Sequence, residues 1–193
     1  MDKFTVKKSE GYGGCRWDGS NAHKHLYGAD LSKAIREAFK ECKIKGVTVR
    51  AKTYTGGQSI TISIKTTEQD FISFEEYKKE CMKRMDFERF NYYYDENRNH
   101  YYWTKLYDMP REKSEHLYEM AIKNTYETYI KGRQLNEHFF DKYECFSESF
   151  KVKLNMIKKV VDSFNYDDSN AMIDYFDRGF YESYEIKPMK KVS

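Results

Sequence analysis

Two stretches of alternating apolar and polar residues, separated by the pair Gly56-Gly57, most constrain the fold of this chain. Residues 47–52 and 59–65 each change between apolar and polar at every step. Because successive side chains of a β-strand point to opposite faces, this period predicts two strands, and the glycines between them predict a turn. The apolar face of the hairpin holds Val47, Val49, Ala51, Ile60, Ile62 and Ile64. Its other face is basic and hydroxylated.

The residues before the hairpin predict an amphipathic helix. Leu31, Ile35, Phe39 and Cys42 are spaced to form one apolar stripe, and Asp30 is placed to cap the first turn. A glycine shortly after the stripe ends the helix. We expect the stripe to lie on the apolar face of the hairpin.

The C-terminal part of the chain predicts further helices and a last strand. Residues 154–164 repeat apolar side chains at helical spacing. A turn at 166–169 leads to a short helix that carries residues 173–176, and residues 180–186 fit a strand. These elements indicate an α+β fold in which helices pack on a small antiparallel sheet. We expect the three hairpin isoleucines to contact Ile35, Phe39, Ile157 and Val161.

The region over residues 66–155 is rich in aromatic residues, and its pattern is largely helical. Ser73 and Glu76 have the spacing of a capping box, and Pro110 suits the start of a longer helix. Between these helices, two aromatic runs flank a polar turn and predict a hairpin. The aromatic residues of this hairpin are Tyr92, Tyr93, Tyr94, Tyr101, Tyr102 and Trp103.

Two separated segments of the chain resemble one known family. The first is Tyr-Thr-Gly-Gly-Gln-Ser-Ile at residues 54–60, and the second is the aromatic and acidic block over residues 164–177. Together they resemble the twenty-ninth of the large-polyvalent-protein-associated domains, a family found in proteins that phages, plasmids and conjugative elements make or deliver with their DNA. The residues that match the family's signature are Arg50, Tyr54, Gly56, Gly57, Ser59, Tyr166, Asp167, Asp168, Asp174 and Tyr175.

The resemblance implies a division of the chain. Residues 31–65 and 156–186 would form the family-like α+β core, residues 66–155 an insertion, and residues 1–30 an N-terminal extension. Because the two matching segments must complete one core, we expect the hairpin and the acidic block to be neighbours in space. An ion pair between Arg50 and a carboxylate of the block would join them.

The charge of the chain is too balanced for bulk attraction of nucleic acid, since the net charge is only +3. Its distribution is uneven: residues 1–65 carry 13 Lys and Arg against 6 Asp and Glu, whereas residues 162–193 carry 4 against 7. The two signatures therefore have opposite charge. No apolar run reaches the roughly 18 residues that cross a bilayer, so we expect a cytoplasmic protein without membrane contact.

No group of residues has the pattern of a known catalytic or metal site. The Gly56-Gly57 turn could offer backbone amides to a phosphate, although hairpin geometry alone explains it. Four carboxylates within residues 167–177 could hold a divalent cation, although capping of a helix start explains them as well. Cys15, His23 and His25 are near in sequence but lack the fourth ligand of a zinc site. We expect no catalytic residue, no metal and no cofactor.

The aromatic hairpin is the expected partner-binding surface, because Tyr, Trp and Arg are concentrated at interface hot spots. Its expected contact residues are Tyr92, Tyr93, Tyr94, Arg98, Tyr101, Tyr102 and Trp103. The same rings could stack on bases or could pack within the protein. Acidic residues in the same stretch favour a protein partner over nucleic acid.

These observations lead to one expected function and two alternatives. We expect a phage or mobile-element accessory protein that binds a bacterial defence protein or ribonucleoprotein in the host cytoplasm. It would act as a stoichiometric inhibitor, of the anti-CRISPR or anti-restriction type. One alternative is a nucleic-acid-binding accessory domain that uses Arg50, Lys52, Lys65 and the aromatic hairpin. The other is a nucleotide-directed enzyme, which a concave site shared by the two signatures would support.

Overall fold

The computed structural model describes residues 3–11, 14–83, 91–95, 100–104, 111–169 and 177–188 of the chain. It has the α+β fold that the sequence predicts. The helices are α1 (Gly28–Glu41), α2 (Phe74–Lys83), α3 (Arg111–Ile130) and α4 (Glu148–Asp162). The strands are β1 (Val6–Gly11), β2 (Gly14–Gly19), β3 (Val47–Tyr54), β4 (Gly57–Lys65), β5 (Asn91–Asp95), β6 (His100–Thr104), β7 (Gln134–Leu135), β8 (Tyr166–Asp167) and β9 (Tyr181–Lys187).

The central sheet has four strands in the order β3-β4-β9-β7. Two of these strands, β3 and β4, form the predicted antiparallel hairpin, and Tyr54 lies opposite Gly57 at its turn. The prediction of an antiparallel sheet was incomplete, because β9 runs parallel to β4. The sheet is therefore mixed. Such a parallel pair needs a long connection between its strands, which the roughly hundred residues between β4 and β9 supply.

The core lies between the inner face of this sheet and helices α1 and α4. The hairpin isoleucines and their four predicted contacts on the helices all belong to one buried hydrophobic cluster. Helix α1 begins earlier than predicted, because Tyr27 is its N-cap and Asp30 lies inside the first turn. Gly28 makes this start possible, since its φ of +55° is costly for any residue with a Cβ.

The region predicted as an insertion contributes to the same core. Leu135 of β7 is buried next to β9, and Phe146 packs edge to face on Phe150 of α4. Helices α2 and α3 meet through rings, with Tyr77 stacked on Tyr126. Half of the predicted capping box is present, since the Ser73 hydroxyl accepts from the Glu76 amide. The predicted domain boundaries themselves stay a prediction.

The N-terminal residues form two strands that the sequence pattern did not predict. Strands β1 and β2 pair as a hairpin, and β2 pairs with β8 of the acidic block in a second sheet. The Gly19 amide donates to the Asn165 carbonyl at 2.8 Å. A Cβ at Gly19 would collide with the backbone of Asp162 and Ser163, so only glycine allows this contact. The stretch predicted as an extension is thus joined to α4 and β8.

The aromatic hairpin is present as paired backbone, with β5 antiparallel to β6 and Tyr92 opposite Trp103. Its turn residues, Arg98 included, and the orientation of its side chains lie outside the described part of the chain. The predicted short helix over residues 173–176 lies outside it as well. Among the described residues, no helix has the length and apolar character needed to cross a bilayer.

Candidate functional site

The Gly-Gly turn and the acidic block are neighbours, as predicted, and they line one cleft. The first signature contributes Gly56, Gly57 and Gln58, and the second contributes Phe164, Tyr166 and Asp177. This part of the cleft has a volume of about 440 Å³. A larger part of about 730 Å³ adjoins it and shares residues such as His25 with it. We call the two parts together the signature cleft.

Gln58 joins three segments at the bottom of the cleft. Its side chain is buried, and its Oε1 accepts a hydrogen bond of 2.8 Å from the Gly28 amide at the start of α1. Its Nε2 donates to the carbonyls of Leu26, at 3.0 Å, and Gly179, at 3.3 Å. The side-chain amide of Gln58 on β4 therefore connects this strand to the start of α1 and to Gly179.

The turn itself is held by two tyrosines. Gly56 has a φ of +84°, which favours glycine, and a Cβ on Gly57 would lie 2.9 Å from the ring of Tyr54. Tyr27 donates from its hydroxyl to the Gly57 carbonyl at 2.8 Å. The backbone angle therefore favours glycine at position 56, and the Tyr54 ring packs closely over the backbone at position 57.

Asn165 organises the acidic block from within. It is fully buried, and its Oδ1 accepts from the amides of Tyr166 and Phe180, both at 3.0 Å. Its Nδ2 donates to the Phe180 carbonyl at 3.0 Å. These bonds hold β8 against the start of β9. The Tyr166 hydroxyl then donates to Asp177 at 3.0 Å.

The acidic block pairs with two arginines that the sequence did not single out. Arg16 of β2 lies 2.8 Å from Asp168, and Arg178 lies 3.9 Å from Asp167. Neither Asp167 nor Asp168 pairs with Arg50, the predicted partner, because Arg50 is exposed on β3 opposite Thr61. The second sheet explains the difference, since it brings Arg16 next to β8.

A buried layer of ionisable side chains lies beneath the cleft. The Arg178 guanidinium contacts Glu182 at 3.0 Å, and burial raises the pKa of Glu182 to about 7 although this arginine opposes the rise. Burial also raises the pKa of Asp162, against the opposing effect of Lys158 at 2.8 Å. Among the described residues, Asp162 Oδ1, Arg178 Nε and the Tyr184 hydroxyl have no hydrogen-bond partner.

The larger part of the cleft combines carboxylates with aromatic rings. The described lining of the whole cleft includes four aspartates, Asp18, Asp167, Asp168 and Asp177, against Arg16 and Arg178. With the histidines neutral, this gives a formal charge of −2. Trp17 and Tyr166 supply rings, and the Arg178 guanidinium lies 5.9 Å from the centre of the Trp17 ring.

The described residues include histidines and cysteines, which are common metal ligands. No three of their His, Cys, Asp and Glu side chains form a group that could hold a metal ion. His23 and His25 both line the cleft, whereas the side chain of Cys15 lies outside the described part of the chain. Cys42 and Cys145 are free thiols, and burial raises the pKa of Cys145 to about 12.

Only some of the predicted site residues line the signature cleft. Gly56, Gly57, Tyr166, Asp167 and Asp168 line the signature cleft. Tyr54 supports the turn of the cleft, whereas Arg50 and Ser59 lie on the outer face of the central sheet. Asp174 and Tyr175 lie outside the described part of the chain, as do the side chains of the seven predicted partner-binding residues.

Four residues of the site were not predicted from the sequence: Trp17, Gln58, Asn165 and Arg178. Gln58 and Asn165 lie inside the two quoted signatures, so their position was a usable signal, but their roles require knowledge of the backbone around them.

Comparison with known protein families, with curated proteins and with solved structures finds no match for this chain. The family resemblance of the two signatures therefore stays a prediction.

Proposed function

We propose that this protein acts by stoichiometric binding of a protein partner and that the partner inserts a basic side chain into the signature cleft. The observation that supports this is the combination of four aspartates with the rings of Trp17 and Tyr166 in one concave site. A Lys or Arg side chain is attracted by carboxylates through charge-assisted hydrogen bonds and by ring faces through cation–π contacts.

Two of the carboxylates are well placed for such a partner. Asp18 is exposed, and the side chain of Asp168 is half-exposed although it pairs with Arg16. An incoming guanidinium can share Asp168 with Arg16, because a carboxylate accepts several hydrogen bonds. Arg178 already lies near the Trp17 ring, which indicates that this surface tolerates a guanidinium.

The biological setting in this proposal comes from the family resemblance alone. In that setting the protein is a phage or mobile-element accessory protein in the host cytoplasm, and its partner is a bacterial defence protein or ribonucleoprotein. A nuclease that holds nucleic acid presents Lys and Arg to the phosphates. An acidic and aromatic cleft would suit such a basic surface, in the manner of an anti-CRISPR or anti-restriction inhibitor.

The experiment is affinity purification from a bacterial host that carries a defence system, followed by titration of the purified partner. We expect inhibition to end at a fixed molar ratio without turnover. Replacing both exposed carboxylates in the variant Asp18→Asn/Asp168→Asn should weaken binding by about 1 to 3 kcal/mol, because charged hydrogen bonds are lost. The matched control is Glu37→Gln/Glu76→Gln, which removes two exposed carboxylates from α1 and α2. Equal binding by the two double variants would contradict the proposal.

The nucleotide-directed enzyme is a second candidate, because the cleft does join both signatures. The comparison that separates the two is Asp167→Asn/Asp168→Asn. If the protein is a binder, this variant should lose affinity for its target and should inhibit the target less in the same proportion. An enzyme should lose activity completely while the variant melts normally and still binds its partner.

A further inference from the structure

The outer face of the central sheet, which points away from α1 and α4, has a composition unlike the inner face. In β4 the isoleucines point inward, so Ser59, Thr61, Ser63 and Lys65 point outward. The register places outward residues of three strands side by side. Lys52 lies next to Ser59 and Ser59 next to Tyr181, while Arg50 lies next to Thr61 and Thr61 next to Ser183.

Positive charge dominates this outer face. Arg50, Lys52, Lys65 and Lys187 are exposed on it, and Glu185 is its one acidic residue in β3, β4 and β9. Glu185 is already neutralised, because Lys187 lies 2.7 Å away and the Ser63 hydroxyl donates to it at 2.5 Å. These contacts hold the pKa of Glu185 below its usual value. Arg50, Lys52 and Lys65 remain as the cations available to a ligand.

Two exposed rings lie at one end of the same face. Tyr181 is 51% exposed at the start of β9, and Tyr54 is 44% exposed at the end of β3. The Arg178 guanidinium lies 5.8 Å from the centre of the Tyr181 ring. Tyr54 is held over the turn, whereas Tyr181 presents half of its surface to solvent. An exposed ring flanked by cations is the arrangement on which unpaired bases stack.

Hydroxyl groups fill the space between the rings and the more distant cations. Thr61 and Ser183 are hydrogen-bonded to each other at 3.2 Å and are partly exposed. Hydroxyls of this kind donate to phosphate and sugar oxygens and fix the position of a bound strand without reading its sequence. Cations, hydroxyls and a ring therefore occupy one continuous surface.

We propose that this outer face binds single-stranded nucleic acid, with the backbone along Arg50, Lys52 and Lys65 and a base stacked on Tyr181. The face is the surface of a sheet, and stacking requires a base that is free of pairing, so a single strand fits better than a duplex. The proposal does not depend on the signature cleft, because Arg50, Lys52, Lys65 and Tyr181 do not line it. Its failure and that of the proposed function can thus be told apart.

The first experiment measures fluorescence anisotropy of a labelled oligothymidylate of about 15 nucleotides, at about 50 to 200 mM salt. The variant Arg50→Ala/Lys52→Ala/Lys65→Ala should bind about tenfold more weakly at low salt. Its log–log salt slope should be smaller by about 2, since each phosphate contact on a single strand contributes about 0.7. The matched control is Lys33→Ala/Arg36→Ala/Lys40→Ala, which removes the same charges from the exposed side of α1.

A second experiment tests the stacked base. Tyr181→Ala should weaken binding of the oligothymidylate by about fivefold or more, and should leave an abasic strand of equal length bound as before. Phe139→Ala is the control, because Phe139 is a similarly exposed ring, 45%, outside the outer face.

Three results would overturn the proposal. The first is no binding of the oligothymidylate by the wild-type protein at low salt. The second is an equal loss of affinity in the two triple variants. The third is equally tight binding of polyglutamate of matched charge, which would mean that the face takes acidic protein segments instead of nucleic acid.

Discussion

At the bottom of the signature cleft, the amide of Gln58 contacts three separate parts of the backbone. The nearest comparable case is Asn165, whose amide joins β8 to β9. Both side chains are buried, and each satisfies backbone groups that have no partner within a helix or strand. Such residues decide the geometry of the cleft more than its charged groups do, because a buried polar group without a partner is costly.

Replacing Gln58 by Ala should therefore destabilise the protein. The change leaves the Gly28 amide and the carbonyls of Leu26 and Gly179 without their partner, which should cost about 1 to 3 kcal/mol. Urea unfolding followed by circular dichroism measures this free energy. Thr55→Ala, at an exposed position of the same turn, should change it by less than about 0.5 kcal/mol. A Gln58 variant as stable as the Thr55 variant would remove Gln58 from this role.

Glu182 should make the stability depend on pH. Burial raises its pKa to about 7 in the folded protein from an ordinary value of 4.5, so between these values the folded state binds more protons than the unfolded state. Stability should thus fall as pH rises from about 4.5 to 7. Asp162 contributes in the same direction, because burial raises its pKa too.

The variant Glu182→Gln isolates this effect. Glutamine keeps an oxygen for Arg178 and cannot ionise, so the loss of stability between about pH 5 and pH 8 should be smaller than in the wild type by about 1 kcal/mol or more. Urea midpoints at the two pH values are the measurement. Glu148→Gln, an exposed position on α4, should leave the wild-type dependence unchanged. An unaltered slope in the Glu182 variant would show that this carboxyl does not cause it.

At the scale of elements, the central sheet depends on its isoleucines. Ile62 is fully buried between neighbours on β3 and β9, so Ile62→Ala should cost about 2 to 5 kcal/mol by leaving a cavity. Val152→Ala is the control, because Val152 is 58% exposed on α4. Thermal melts compare the two. A change in Tm for Ile62→Ala no larger than for the control would contradict the core assignment.

The same sheet shows what the sequence could and could not predict. Strands β3 and β4 were predictable because they are adjacent in sequence and one face is entirely apolar. Strands β1 and β2 were not, because residues such as Lys7 and Lys8 give no alternating pattern. The parallel pairing of β9 depends on the path of the chain over a long connection, which no local pattern encodes.

The candidate site was predictable to a similar degree. Signature residues on the two segments led to the correct expectation that they are neighbours. The pairing of Asp168 with Arg16 was not predicted, because Arg16 belongs to a hairpin that the pattern did not reveal. Long-range pairs of this kind depend on which strands meet, and the charge distribution alone favoured Arg50.

At the scale of the whole molecule, two sheets share the acidic block. Residues of β8 pair with β2, and Asn165 just before β8 connects to β9 of the central sheet. The amides of Gly19 and Asn21 donate to the carbonyls of Asn165 and Ser163 at the end of α4. We therefore expect the N-terminal hairpin to unfold together with the core and not as a separate unit.

The fluorescence of Trp17 tests whether the N-terminal hairpin unfolds with the core, because Trp17 lies on β2 opposite Asp167. In a Trp103→Phe background it is the one remaining tryptophan of the chain, which has two. Its fluorescence and the far-ultraviolet circular dichroism should then follow the same urea transition, as expected for one cooperative unit. If residues 1–30 were an independent extension, the Trp17 signal would change at lower urea than the dichroism.

The variant Gly19→Ala should separate the two transitions, so that Trp17 fluorescence changes at lower urea than the circular dichroism. A Cβ at this position collides with the backbone of α4 and loosens the hairpin without touching the central sheet.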